Sequence, residues 1–169
     1  GVAFLTSRNI DSDEVDLSET KYITDDKYKS LSGAKIQIDD IIFCLRGSVG
    51  KCAINRTLSC GTVASSLATI RPKDIYPKYL LYFLLSNIAS TQTTIFMNGT
   101  CAANLSAENV GNYYITLPNS AEQKEIADHL DAKCAEIDKL IAKKEQLVKE
   151  LESYKKSLIY EVVTGKREV

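Results

Sequence analysis

Apolar residues occur in short runs over the first 118 positions of this chain and in one long periodic stripe after them. The runs GVAFLTS, CAIN and TVASSLATIRP predict strands, and IIFCL is β-branched and aromatic enough to be a buried strand. A helical turn is predicted in YITDDKYKSL, a core helix in PKYLLYFLLSNIAS, which begins at Pro77, a short helix from Ser106 and a strand in NYYITLP. Because strands and helices mix without a repeating βαβ order, we expect an α+β fold.

The last third of the chain predicts one long helix. Ser120 and Gln123 have the spacing of a capping box, and Gly165 fits the residue that ends a helix. A helix from residue 120 to 164 would be roughly 66 Å long at 1.5 Å per residue. The sequence therefore predicts a globular domain over residues 1–118, a helical region over 119–165 and a tail over 166–169.

The apolar residues of this helix follow a heptad, and a third position widens the stripe beyond what a two-stranded zipper needs. A domain of about 118 residues is too small to cover it. We therefore expect the stripe to pack against another long helix, with Lys133 and Lys144 setting the register. The predicted packing residues are Ile126, Leu130, Ile137, Leu140, Ile141, Leu147, Val148, Leu151, Tyr154 and Leu158. The charged opposite face is either a solvated exterior or a docking surface for a further subunit.

The net charge of −1 argues against strong non-specific binding to nucleic acid. The charges are unevenly placed, however. Residues 1–26 carry two basic and seven acidic groups, whereas residues 27–118 carry nine basic and four acidic groups. The second segment is thus locally positive, which fits either a DNA contact or an ordinary mixed surface.

The five cysteines form no CxxC pair, so neither a disulfide framework nor a zinc site is indicated. Cys44 and Cys134 lie on apolar faces and are expected to be small buried residues. Such usage favours a reducing cytoplasm. No apolar run approaches the roughly 20 residues that cross a bilayer, so no membrane association is predicted. Because the chain begins at Gly1 in a strand-like run, we expect a segment to be missing before it.

The sequence RGSVGKC at 46–52 resembles a phosphate-binding loop but lacks its pattern. A Walker loop needs a Gly that is separated by four residues from the Gly-Lys pair, and Ser or Thr after the pair, where this chain has Leu45 and Cys52. The segment is either a glycine turn between strands or a turn whose amides and cations contact a DNA backbone. In TSRNI, Arg8 and Asn9 are types suited to base edges.

An enzymatic function is disfavoured. No HExxH, GxSxG or acidic metal cluster occurs, and Cys101 has no histidine partner in the globular region. The one histidine, His129, lies between Asp128 and Leu130 on the long helix and is expected to be exposed. We predict no catalytic residue and no metal ligand.

Two stretches carry a family resemblance: ITLPNSAEQKEIADHL at the start of the long helix and SLIYEVVTGK at its end. They resemble the conserved helical region of type I restriction-modification specificity subunits. Upstream, FLTSRNI, IDDIIFCLRGSVGKCAI and NLSAENVGNYYITLP are similar to the target-recognition domain of that family. The resemblance covers nearly the whole chain and is stronger after residue 115.

The resemblance implies a non-catalytic subunit that reads one half of a bipartite double-stranded DNA target. Long helices of the family hold two recognition domains apart and dock modification subunits, which bind S-adenosylmethionine and methylate adenine. A separate restriction motor subunit cleaves DNA, and this chain would itself bind no cofactor. Recognition domains vary within the family, so DNA contacts are chosen from polar turns that interrupt strands: Ser7, Arg8, Arg46, Ser48, Lys51, Arg56, Asn98 and Thr100.

The chain departs from the family pattern because it has one recognition domain and one helical region where two of each are usual. It is therefore either a half-subunit that pairs with itself or a fragment of a longer subunit. Antiparallel self-pairing as a homodimer would predict two inverted identical half-sites. The alternative function is an oligomerisation protein that uses the long helix and binds no DNA.

Overall fold

The computed structural model describes residues 1–11, 13–97 and 105–168. Mixed sheets and helices followed by a long terminal helix confirm the predicted α+β class. The chain divides into two compact units, Gly1–Ala127 and Asp128–Val169.

The first unit contains two three-stranded sheets. The first sheet has the order β2-β1-β5, with β1 antiparallel to β2 and parallel to β5. The second has the order β4-β3-β6 and is antiparallel throughout. The strands are β1 (Val2–Leu5), β2 (Lys21–Ile23), β3 (Ile41–Cys44), β4 (Cys52–Ile54), β5 (Gly61–Val63) and β6 (Leu67–Ile70).

The run TVASSLATIRP, predicted as a single strand, is divided between β5 in one sheet and β6 in the other. The chain turns between them, where the Leu67 amide donates to the Ala64 carbonyl at 2.9 Å. Tertiary packing determines where a continuous apolar run passes from one sheet to another. The prediction of a β-strand here was therefore correct, but the run forms two strands and not one.

Strand β3 is the centre of the core because it is buried on both faces. Ile41 and Phe43 pack on one side with the helical residues Leu81 and Leu84. Ile42 and Cys44 pack on the other side in the cluster that contains Leu5 of the first sheet. A strand covered on both faces needs a continuous apolar run, which explains the sequence IIFC.

Among the described residues, the first unit also contains four short helices before the terminal one, together with a 3-10 turn at Ser7–Asn9. They are α1 (Asp25–Ser30), α2 (Pro77–Leu85), α3 (Asn87–Met97) and α4 (Ala107–Gly111). Pro77 occupies the first turn of α2, as predicted. The single helix expected in this run instead breaks at Ser86, whose hydroxyl donates to the Phe83 carbonyl at 2.6 Å.

The strand predicted in NYYITLP does not form, because residues 113–119 pair with no strand. Side chains hold this segment instead. Gln92 bonds both backbone groups of Tyr114, and the Tyr79 hydroxyl donates to the Thr116 carbonyl at 2.6 Å. These side-chain hydrogen bonds therefore replace the backbone hydrogen bonds that a neighbouring strand would supply in a sheet.

The terminal helix α5 covers Ser120–Val163. Its predicted capping box is wrong, because Asn119 caps the helix by accepting the Glu122 amide at 3.0 Å. The predicted end is confirmed: Gly165 adopts φ +70°, and the Gly165 and Lys166 amides donate to the carbonyls of Val162 and Glu161. These two bonds define the Schellman motif that ends many helices.

In the second unit, most of the predicted stripe is exposed, including Ile137, Leu140, Leu147 and Leu151. Ile126, Leu130 and Leu158 of the predicted packing set are half-buried. Cys134, expected to be buried, is also only half-buried, whereas Cys44 is buried as expected.

Candidate nucleic-acid interface

A tight turn at residues 46–51 connects β3 to β4. Gly47 and Gly50 adopt φ values of +77° and +90°, which L-residues with a side chain rarely adopt. The turn is closed by the Lys51 amide, which donates to the Ser48 carbonyl at 3.2 Å, and by the Cys44 amide, which donates to the Lys51 carbonyl at 2.8 Å. The glycines therefore let the chain reverse while the side chains of Arg46 and Ser48 remain exposed.

This turn forms one wall of a cleft of about 560 Å³. The end of α2 and one face of α3 form the opposite wall. That wall carries hydroxyl groups at every fourth residue, Ser86, Ser90 and Thr94, so they follow one face of the helical segment. The floor includes the apolar Leu84 and Met97.

The cleft combines groups that bind nucleic acid. The Ser86 and Thr94 hydroxyls donate to the carbonyls of Phe83 and Ser90, so they are available to accept hydrogen bonds. Turn amides donate to phosphate oxygens. Arg46 adds a guanidinium next to the cleft, and among the described residues it forms no ion pair. An arginine of this kind can bind a phosphate or the edge of a guanine.

Lys51 lines the cleft, but its ammonium group already forms an ion pair with Asp11. Its Nζ lies 2.9 Å from the Asp11 Oδ1, and the hydrogen bond to Asp11 raises the pKa of Lys51. The lysine therefore stays protonated at neutral pH. Since both side chains are exposed, the pair is weak, and a phosphate can compete with Asp11 for the ammonium group.

Arg56 forms an ion pair with Asp39, which adopts a left-handed φ of +67°. The Asp39 amide also donates to the Asn55 carbonyl at 2.8 Å. This contact gives Arg56 a structural role at the corner after β4. Arg56 does not line the cleft.

In TSRNI the two polar candidates differ in exposure. Asn9 is buried, where its Nδ2 donates to the Asp16 carbonyl at 2.8 Å and its Oδ1 accepts the Thr6 amide at 2.9 Å. It therefore stabilises the acidic loop and does not face a ligand. Ser7 and Arg8 are exposed, but they do not line the cleft.

Of the eight residues predicted to contact DNA, Ser48 and Lys51 line the cleft and Arg46 lies in the same turn. Asn98 and Thr100 lie outside the described residues, as does Cys101. Sequence reasoning missed Ser86, Ser90 and Thr94. Their spacing of four was the available signal, because it places three hydroxyls on one side of a helical segment.

Metal binding requires a cluster of ligands, and thiol chemistry requires a thiolate. The described part of the chain contains no cluster of three residues able to hold a metal ion. Burial raises the pKa of the Cys44 thiol, and it raises the pKa of Cys52 to about 12. Both thiols therefore remain protonated at neutral pH and are poor nucleophiles.

Across the described ranges, no helix is both long and apolar enough to span a bilayer. The long α5 fails this requirement because charged residues recur along its length.

The family comparison assigns the chain to a class. Residues 6–152 match the model described as "Type I restriction modification DNA specificity domain". The match includes the turn at 46–51, the α3 hydroxyls and most of α5. The chain therefore belongs to the type I restriction-modification DNA specificity family, which confirms the resemblance seen in its sequence.

Individual relatives agree with this assignment. The chain is 25% identical over 166 residues to the type I restriction enzyme StySPI specificity subunit of Salmonella potsdam, covering 95% of this chain and 35% of that protein. It is 23% identical over 167 residues to the EcoKI specificity subunit of Escherichia coli K12, covering 96% and 36%. The chain thus spans about a third of the length of these relatives.

Solved structures share the fold. The HsdS subunit from Thermoanaerobacter tengcongensis superposes with a TM-score of 0.67 at 21% identity, over 82% of this chain and 37% of that one. A second solved structure is titled "Structural basis underlying complex assembly and conformational transition of the type I R-M system". One of its chains superposes with a TM-score of 0.72 at 20% identity, over 94% of this chain and 43% of that one.

Proposed function

We propose that this chain is a DNA specificity subunit that reads one half of a bipartite target and carries no catalytic group of its own. The family match over residues 6–152 is the observation that supports this most directly. The cleft beside the 46–51 turn supports it further, since it brings hydroxyls, a lysine and a nearby arginine to one surface. The excess of basic residues in 27–118 also fits DNA binding, and two of these residues, Arg46 and Lys51, belong to this turn.

In this proposal the chain positions two other kinds of subunit on DNA. Modification subunits bind S-adenosylmethionine and methylate adenine, and a restriction motor subunit cleaves the DNA. The complex would act in the cytoplasm, where the DNA of a prokaryotic cell lies. A net charge of −1 suits this division of labour, because partner subunits can supply much of the attraction to phosphate.

Mapping methylated adenines in cells with and without the gene tests the function. We expect deletion to remove methylation from one bipartite sequence, and that sequence then supplies the DNA for binding measurements. A methylation pattern that is unchanged by deletion would contradict the specificity role.

On that target, we predict that Arg46→Ala weakens DNA binding by the assembled methyltransferase by about 1–3 kcal/mol, because an exposed arginine beside the cleft is lost. Fluorescence anisotropy at a fixed salt concentration measures the change. Lys21→Ala removes one positive charge from β2, outside the lining of the cleft, and serves as the charge-matched control. Equal affinities for the two variants would remove Arg46 from the interface.

A further inference from the structure

The two walls of the cleft differ in the hydrogen bonds that they can offer to a ligand. On the turn side, Gly47, Ser48 and Val49 line the cleft, and among the described residues their backbone amides donate to no acceptor. Lys51 adds an ammonium group on the same side. Amide and ammonium groups only donate hydrogen bonds, so they suit an acceptor such as a phosphate oxygen.

The helical wall has the opposite polarity, because hydroxyl protons on it are already used. The Ser86 hydroxyl donates to the Phe83 carbonyl at 2.6 Å, and the Thr94 hydroxyl donates to the Ser90 carbonyl at 3.0 Å. A hydroxyl has one proton and two lone pairs, so these two oxygens can still accept a hydrogen bond but have no proton left to donate. We call Ser86 and Thr94 the acceptor pair.

Thr93 also lines the cleft, but it does not belong to the acceptor pair. Its side chain is buried, and its hydroxyl donates to the Ala89 carbonyl at 2.9 Å. The Tyr113 hydroxyl lies 2.6 Å from the Thr93 hydroxyl and therefore donates to it. An oxygen that is buried and already both donates and accepts has a structural role.

The acceptor pair is poorly suited to phosphate. A phosphate oxygen only accepts, so each hydroxyl would have to give up its bond to the backbone in order to bind one. The helix Asn87–Met97 also carries no charged side chain that would attract a phosphate. On DNA, the groups that donate hydrogen bonds are the exocyclic amino groups of the bases. Adenine and cytosine present theirs in the major groove, and guanine presents its own in the minor groove.

We propose that Ser86 and Thr94 determine sequence specificity by accepting hydrogen bonds from exocyclic amino groups of bases, while the turn holds the neighbouring phosphate. This inference rests on the proposed function, in which the cleft binds DNA. A thymine or guanine edge in the major groove presents acceptors to the pair. Such an edge is rejected, because it leaves two oxygens facing each other without a proton between them.

The test uses the assembled methyltransferase and a DNA duplex of the bipartite sequence that methylation mapping identifies. Each adenine, cytosine or guanine of one half-site is replaced in turn by purine, pyrimidinone or hypoxanthine, which lack only the amino group. Fluorescence anisotropy measures the affinity. We expect one or two replacements to weaken wild-type binding about tenfold, because a hydrogen bond is lost and an oxygen is left unpaired. The base that responds also shows which groove lies in the cleft.

Thr94→Val keeps the shape of the side chain and removes its hydroxyl oxygen, and Ser86→Ala is the second variant. Each should reduce one of these responses to about twofold or less, since the partner of the amino group is already absent. Thr91→Val is the matched control. The Thr91 hydroxyl donates to the Asn87 carbonyl at 2.8 Å on the same helix, but it does not line the cleft. This variant should keep the full tenfold responses.

The outcomes separate this inference from the proposed function. If the wild-type complex binds the target no better than unrelated DNA, the proposed function itself fails. If it binds the target and tolerates every amino-group replacement, only the specificity inference is overturned. The inference also fails if Thr94→Val and Ser86→Ala both keep the wild-type responses, including the case in which they weaken binding equally to all sequences, as the loss of a phosphate contact would.

Discussion

At the scale of single residues, Asp40 carries a buried carboxylate, which is only 1% exposed and therefore needs a cation or hydrogen-bond donors beside it. Arg71 binds both of its oxygens, with Nε and Nη2 each at 2.8 Å, and the Gln37 amide donates to Oδ2 at 2.7 Å. Arg71 Nη2 also donates to the Lys35 carbonyl at 2.9 Å. The pair thus joins the start of β3 to the end of β6.

We predict that Arg71→Met destabilises the protein by about 1–3 kcal/mol, because Asp40 would remain buried without its cation. The loss should fall below that for a fully buried pair, since Arg71 is partly exposed and water can reach the site. Urea unfolding followed by circular dichroism measures it.

Arg167→Met is the control for this substitution. Arg167 lies 3.8 Å from the Glu161 carboxylate, and both side chains are substantially exposed, so a change of only a few tenths of a kcal/mol is expected. If the two variants unfold at the same urea concentration, burial of Asp40 would not set the strength of the pair.

Residue identity alone did not separate binding from structural roles. Arg8 and Asn9 are adjacent polar residues in one motif, yet Arg8 is exposed and Asn9 is buried in a hydrogen-bond network. Likewise, Arg46 forms no ion pair among the described residues, whereas Arg56 pairs with Asp39. Whether such a residue is exposed or paired depends on neighbours that are distant in sequence, so it cannot be predicted from the local composition.

At the scale of elements, the start of α5 is held within the first unit by Gln123, which is buried. Its Oε1 accepts the Tyr76 amide at 2.8 Å, and its Nε2 donates to the Pro118 carbonyl at 2.8 Å. Tyr76 is the residue that precedes α2. One side chain therefore connects the beginnings of two helices.

We predict that Gln123→Met lowers the free energy of unfolding by about 1–3 kcal/mol, because it leaves the Tyr76 amide and the Pro118 carbonyl without partners. Gln146→Met is the control. Gln146 lies on the exposed part of the same helix and donates to the exposed Glu150, so we expect little change. Chemical denaturation of both variants compares them, and equal stabilities would contradict a structural role for Gln123.

Some elements of the fold are determined by the local sequence alone. The apolar run IIFC, Pro77 and Gly165 each predicted the correct element, because burial on both faces, a fixed φ and a left-handed φ are local requirements. Gln123 fits a capping box equally well by sequence. Its actual partner, Tyr76, is 47 residues away, so only the folded chain reveals it. The missing strand at 113–119 has the same cause, since its backbone is bonded by Gln92 and Tyr79.

The candidate interface was predictable to the extent that turns are local. The glycine turn at 46–51 was visible in the sequence, and its functional interpretation named Arg46, Ser48 and Lys51. The opposite wall was not predicted, because it depends on how α3 packs against the turn. Pairing of Lys51 with Asp11, 40 residues away, was hidden for the same reason.

At the scale of the whole molecule, the apolar stripe of α5 lies uncovered along the second unit. Leu140, Leu147, Leu151 and Tyr154 are each more than half exposed. Exposed apolar residues that continue along a heptad indicate a partner helix, because burial of each leucine contributes about 2 kcal/mol. A second copy of the chain would supply the same stripe in reverse and form a closed two-fold pair.

We predict that the chain self-associates through this stripe and that light scattering gives about twice 18.7 kDa at high concentration. Leu147→Lys should weaken association at least about 100-fold, since two-fold symmetry repeats the loss in both copies. Ala142→Lys adds the same charge on the opposite face of the helix and should leave the mass unchanged. A wild-type chain that stays at 18.7 kDa across all concentrations would contradict self-pairing, and the stripe would then require a different helix to cover it.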